Sequence, residues 1–259
     1  MHLIQEGINL YLDSEQTVYQ IGSDGGLLEK PVHMEKIAIE PSERVDLIID
    51  FSKNEGKEIV LKNDLGPNAD PDNETDEVMQ FRVTKPLSDF DKSVIPTRLS
   101  TIPKLKQNNI STIRNLKLVG TDDKFGRPLL LLNGKRWHDP ITEKPQLGSM
   151  EIWSLFNTTA FTHPMHIHLI QFQILERQPF DLERYNQDGQ IIYTGGPTPP
   201  EVNERGWKDT VAATSGHVTR VIGKYAPHVG HYVWYCHILE HEDYDMMRPF
   251  EVIDREKNN

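Results

Sequence analysis

The sequence predicts an all-β protein made of two β-sandwich modules, the first of them incomplete. Short runs in which apolar and polar residues alternate carry the two-residue period of half-buried strands. Clusters of Gly, Pro, Asn and Asp separate these runs at the spacing of sandwiches and barrels. Helical signal is confined to residues 180–187 and to the turn after Cys236.

Residues 8–12 and 18–21 read as strands, the second closed by Gly22-Ser23-Asp24-Gly25-Gly26. Residues 36–40 alternate, and 45–51 have the length and apolarity of a buried strand. Segments 58–62 and 78–84 follow, with a polar, proline-bearing loop at 63–75 between them. Leu129 to Leu132 runs into Asn133-Gly134, a dipeptide that tolerates the positive φ values of a hairpin turn. Segments 151–157, 166–176, 218–223 and 232–236 supply the later strands.

The rhythm lapses over 85–112, where Pro86, Pro96 and Pro103 and scattered charges mark a linker. The second module, 113–255, has the length of a complete sandwich. The first, 1–84, offers only five or six strands, which leaves an edge open to pairing.

The net charge of −11 gives no electrostatic footprint for nucleic acid or an anionic membrane surface. No apolar run approaches the ~18–20 residues needed to cross a bilayer. The opening Met1-His2-Leu3-Ile4-Gln5-Glu6 lacks the basic and apolar regions of a signal peptide, so the default location is cytoplasmic.

Two clusters carry chemistry: His163-Pro164-Met165-His166-Ile167-His168, and Cys236-His237-Ile238-Leu239-Glu240-His241 with Met246 beyond. Cys236 is the only cysteine in 259 residues and cannot form an intrachain disulfide. Two imidazoles, a thiolate and a weak axial thioether make up a blue-copper ligand set. Strand parity divides the clusters between two faces. His163 and Cys236 fall on one face, with His241 and Met246 returning from the following loop. His166, His168, His237 and Tyr235 fall on the other. Consecutive residues, Cys236 and His237, thus belong to adjacent sites.

Both clusters resemble the copper-binding signatures of multicopper oxidases. The stretches Gly206-Trp207-Lys208-Asp209-Thr210 and His237 to Pro249 are similar to the bacterial spore-coat laccases, which also oxidise bilirubin. So are Gln20 to Leu28 and Asn133 to Pro140, spreading the resemblance over nearly the whole chain. It implies cupredoxin-like Greek-key sandwiches, a complete C-terminal domain preceded by part of a middle one. It implies copper as cofactor, with His163, Cys236, His241 and Met246 as the type 1 site. His166 matches a type 2 ligand, and His168 and His237 match type 3 ligands, of the trinuclear cluster. The implied reaction is one-electron oxidation of phenols or tetrapyrrole-like compounds coupled to reduction of dioxygen to water. The implied location is the spore coat. Glu242, beside a ligand, is the candidate for proton supply, and Asp209 for orienting a ligand imidazole.

The sequence departs from the family in two ways. Tyr235 stands where the family has a third type 3 histidine. The His-x-His pairs of the first domain are missing, so His2, His33, His138, His217, His228 and His231 stand singly. A separately encoded N-terminal domain would supply the missing ligands. The expectation for this chain is a retained type 1 electron-transfer site with weak oxygen reduction. The alternative is an inactive structural or coat-associated β-protein.

Overall fold

The computed structural model describes residues 7–14, 16–64, 76–86, 89 and 91–254. Most of the expected 63–75 loop and His2 lie outside them. The chain divides into two compact units, Met1–Ile102 and Pro103–Asn259, with the division inside the stretch read as a linker.

The first unit holds β1 (Ile8–Leu12), β2 (Val18–Ser23), β3 (Gly26–Met34), β4 (Ile37–Ile39), β5 (Asp46–Ile49), β6 (Glu58–Asn63) and β7 (Glu77–Arg82). They form two antiparallel sheets, ordered β4-β1-β6-β7 and β3-β2-β5. Leu10, Leu12, Val18, Ile37 and Ile59 make its small core. The strand β3 escapes a hydropathy reading because most of its side chains are exposed or half-buried.

The second unit holds β8 (Thr112–Asp122), β9 (Pro128–Leu132), β10 (Met150–Asn157), β11 (His163–Ile167), β12 (Phe172–Pro179), α1 (Leu182–Asp188), β13 (Thr210–Ala213), β14 (His217–Lys224), β15 (Gly230–Cys236), α2 (Leu239–Glu242) and β16 (Met247–Val252). One sheet runs β12-β14-β10-β8-β9 and the other β13-β11-β15-β16. Among the named strands the β8–β10 pair is parallel and every other pair antiparallel, with an isolated parallel bridge between Gln146 and Ile253. Between the sheets, Trp153 stacks on Tyr225 and meets Trp234 and Phe250 edge-on. Among the described residues no helix is long and apolar enough to cross a membrane.

The structure differs from the strand reading in particular places. The expected strand 166–176 is two strands in different sheets. The chain crosses over between Ile167 and Phe172, with Leu169 in the left-handed region at φ 71°. The strand β16 was hidden because its buried set is Arg248, Phe250 and Val252, and an arginine breaks the apolar alternation. Polar side chains mask β8 on its exposed face, and β13 is too short to show a period.

Candidate metal centre

The two histidine-bearing segments are neighbours because β11 lies between β13 and β15. The register sets Met165 opposite Cys236, His166 opposite Tyr235 and Ile167 opposite Trp234. Side chains alternate faces along each strand, so His163, Met165 and Ile167 are buried on the same side as Trp234 and Cys236. His166 and Tyr235 face the other way, where their rings lie 5.4 Å apart.

On the buried side, Cys236 Sγ is 3.5 Å from His163 Nδ1 and 3.5 Å from His241 Nδ1. Among the described residues this is the one group of three His, Cys, Asp or Glu ligand atoms that all lie within 4.8 Å of one another. Two donors on one tetrahedral or trigonal ion, with metal–nitrogen ~2.0 Å and metal–sulfur ~2.3 Å, would sit about 3.5–3.7 Å apart. The spacing fits a shared metal ion.

Hydrogen bonding selects the atom that His163 presents. The Thr159 hydroxyl donates to Asn157 Oδ1 at 2.8 Å, so its oxygen accepts from His163 Nε2 at 2.7 Å. That tautomer leaves a lone pair on Nδ1, toward the sulfur. Asn157 is fixed by donating to the carbonyls of Phe161 and Ala213, both at 2.7 Å. Neither Asn157 nor Thr159 was singled out from sequence; the available signal was a polar run, Asn157-Thr158-Thr159, directly before the first histidine. Burial, aided by repulsion from His241, lowers the His163 pKa to about 3, and burial also lowers that of His241. Both imidazoles are therefore neutral near pH 7 and free to coordinate. Met246 is fully buried, and its carbonyl accepts from the Cys236 amide at 3.1 Å.

On the opposite face, His166 packs against His168 at 5.1 Å and His237 at 5.8 Å between ring centroids. Thr210 donates to Asp209 and so accepts from His166 Nδ1 at 3.1 Å, while Asp209 Oδ1 lies 3.5 Å from the same nitrogen. This pair engages the Nδ1 side of the His166 ring. Burial and the neighbouring His166 and His237 lower the pKa of His168. Tyr235 Oη sits 3.3 Å from His237 Nε2, and burial with Glu242 and Asp209 raises the phenol's pKa. Burial raises the Glu242 pKa against the pull of His237 and His166, which puts Glu242 beside this second cluster. The second cluster does not converge as the first does. With a tyrosine in it, these residues alone do not fit a multinuclear copper site.

Three of the histidines outside these clusters take ordinary roles. His33 packs edge-on to Tyr19, His217 Nδ1 pairs with the Ser215 carbonyl at 2.8 Å, and His231 lies 3.6 Å from Glu251.

Comparison with known proteins finds close relatives. The sequence profile described as multicopper oxidase matches residues 102–256. The laccase of Bacillus subtilis (strain 168) is 52% identical over 250 residues, covering 96% of this chain and 49% of that protein. The laccase of Bacillus stratosphericus is 49% identical, covering 94% of this chain and 48% of its own length. Among solved structures, a multi-copper oxidase from Pediococcus acidilactici superposes with a TM-score of 0.76 at 29% identity, over 97% of this chain and 47% of that one. The chain thus spans about half the length of the curated relatives it matches, and its folds are the cupredoxin-like sandwiches of such structures.

Proposed function

The chain belongs to the multicopper oxidase family, whose members use copper, and on that premise we propose that His163, Cys236, His241 and Met246 would hold a type 1 copper, which would supply one-electron oxidation of small phenolic or bilirubin-like donors. In the complete protein this step is coupled to reduction of dioxygen to water. The observation that carries the reading is the pair of 3.5 Å separations from Cys236 Sγ to two imidazole nitrogens. A copper ion held there supplies one-electron redox chemistry.

The protein's own groups prepare that chemistry. Thr159 and Asn157 fix the His163 ring, and burial keeps it unprotonated. His241 is only half-buried and gives donors a route to the otherwise closed site. Cys236 and His237, adjacent in the chain, join this site to the opposite face. There His166, held by Thr210 and Asp209, and His168 and His237 match part of the family's trinuclear set. Glu242, with its pKa raised by burial, is placed to hold a proton beside them. Tyr235 takes a position that a histidine fills in the family, so we expect weak oxygen reduction even when the missing ligands are supplied. Those ligands would come from further protein, encoded with these residues or separately. By the same resemblance we place the protein in the spore coat.

The family match and the converged donor set favour this reading over an inactive structural β-protein. Copper titration with visible and electron paramagnetic resonance spectra tests it. The expected result is an intense blue thiolate-to-copper band that Cys236→Ser abolishes. Folded protein without that band would overturn the reading.

A further inference from the structure

We infer that Asp245, latched to Arg136 and to the Trp137 amide, positions Met246 and thereby sets the balance between the two oxidation states of the metal centre. The inference rests on the copper reading above.

The loop after Cys236 is tied to itself by its own backbone. The Cys236 amide donates to Met246 O at 3.1 Å, Met246 N donates to His241 O at 2.9 Å, and His241 N donates to Ile238 O at 3.0 Å. The first of these bonds ties the Met246 backbone to the end of β15, where Met247 pairs with Tyr235. Three side-chain contacts around Met246 add a second anchorage, away from that strand. The Tyr244 hydroxyl donates to the Asp123 carboxylate and accepts from Arg127 Nη2 at 3.0 Å. Asp245 accepts from the Trp137 amide at 3.0 Å through Oδ1 and from Arg136 Nη1 at 2.9 Å through Oδ2. The fully buried Arg248 donates to the carbonyls of Arg136, Trp137, Asp139 and Pro140.

The platform at 133–140 is itself rigid. Asn133 and Gly134 hold left-handed values of φ 55° and 64°, and Arg136 N donates to Asp139 Oδ2 at 2.8 Å while Asp139 N donates to Arg136 O at 3.1 Å. The latch therefore joins a stiff turn to a ligand loop far from it in sequence.

Asp245 is the contact whose loss reads most cleanly. It directly precedes Met246, and its φ of 73° is a left-handed conformation that non-glycine residues adopt at a cost. The two side-chain bonds hold it there. Its cationic partner Arg136 is 50% exposed, so removing Asp245 strands no buried charge, whereas removing Arg248 would orphan a set of carbonyls. With copper bound, the Met246 thioether would be a weak ligand, so a small displacement would change its contribution. A withdrawn thioether disfavours Cu(II) relative to Cu(I).

Asp245→Gly keeps the left-handed backbone and deletes the latch, and Asp245→Asn keeps an acceptor for the Trp137 amide. Arg136→Ala removes the other half and carries the same test if the glycine variant does not fold. In the copper-free protein, amide hydrogen exchange at Met246 should become about tenfold faster in Asp245→Gly and Arg136→Ala, and stay near wild type in Asp245→Asn. In the copper-loaded protein, Asp245→Gly should keep the blue band while the preference for Cu(I) rises about tenfold, a shift of about 59 mV for a one-electron couple. Unchanged exchange, or a blue wild type whose potential Asp245→Gly does not move, would overturn the latch and leave the copper site standing. A wild type with no blue band would overturn both.

Discussion

The Tyr235 hydroxyl lies 3.3 Å from Nε2 of His237, so the imidazole next to Cys236 in sequence has its outer nitrogen engaged by a phenol from the same strand face. His166 and His168 pack against the same phenol ring, at 5.4 and 5.7 Å between centroids. Tyr235→His should restore a fourth imidazole here and raise copper uptake above that of wild type, with an added type 2 resonance. Tyr235→Phe frees His237 but adds no donor, so it should bind no more copper than wild type. Equal copper content in the wild type and the histidine variant would refute the claim that Tyr235 limits this cluster.

Arg177 and Glu204 form a bidentate pair with both bonds at 2.7 Å and both side chains 17% exposed. Burial pushes the Glu204 carboxyl up, but the Arg177 bonds and charge outweigh it, and its pKa lies below the ordinary 4.5. The unfolded chain then binds the proton more tightly than the folded one. The stabilisation is complete above pH 4.5 and is lost as the pH falls through the folded value. Glu204→Gln should cost roughly 2 kcal/mol at pH 7, less than the ~3–5 kcal/mol of a fully buried pair. It should also flatten the acid limb of a stability-against-pH curve measured by urea unfolding.

Trp153 is the hub of the second unit's core, ringed by Tyr225, Trp234 and Phe250, and its Nε1 donates to Glu151 at 3.1 Å. Glu151 in turn accepts from Arg114 at 2.6 and 2.9 Å. Trp153→Ala leaves a large cavity and removes a partner of a buried carboxylate, and should cost ~3–5 kcal/mol. Urea unfolding followed by near-ultraviolet circular dichroism reads this loss. A change below about 1 kcal/mol would show that the core relaxes around the gap.

The strand β7 ends its sheet and, among the described residues, pairs with β6 alone. Val78 and Met79 are each 49% exposed on it. An open apolar edge is a template for another strand. Met79→Lys should lower self-association in light scattering at constant protein concentration. No difference from wild type would place any association elsewhere.

Much of this protein can be read from its sequence, because the signals are local. Short, largely apolar runs mark β1, β10 and β15, and parity along β11 and β15 sorts His163 and Cys236 from His166, His168, Tyr235 and His237 before any tertiary contact is known. The donor types in the first cluster point to a soft, redox-active metal by their chemistry alone.

Other features depend on partners remote in sequence. The single run 166–176 became two strands because neighbouring segments claimed its halves for different sheets, with a left-handed Leu169 at the crossing. Arg248 reads as a surface charge until the carbonyls of 136–140 surround it. Thr159 and Thr210 are plain polar residues until their hydroxyls, by donating to Asn157 and Asp209, decide which nitrogen of His163 and His166 stays free. The sequence determined the ligand types and their division between two faces, since backbone geometry imposes a period of two on any strand. Tertiary structure alone decided ligand spacing, protonation and loop placement, since these follow from burial and from hydrogen bonds between residues far apart in the chain.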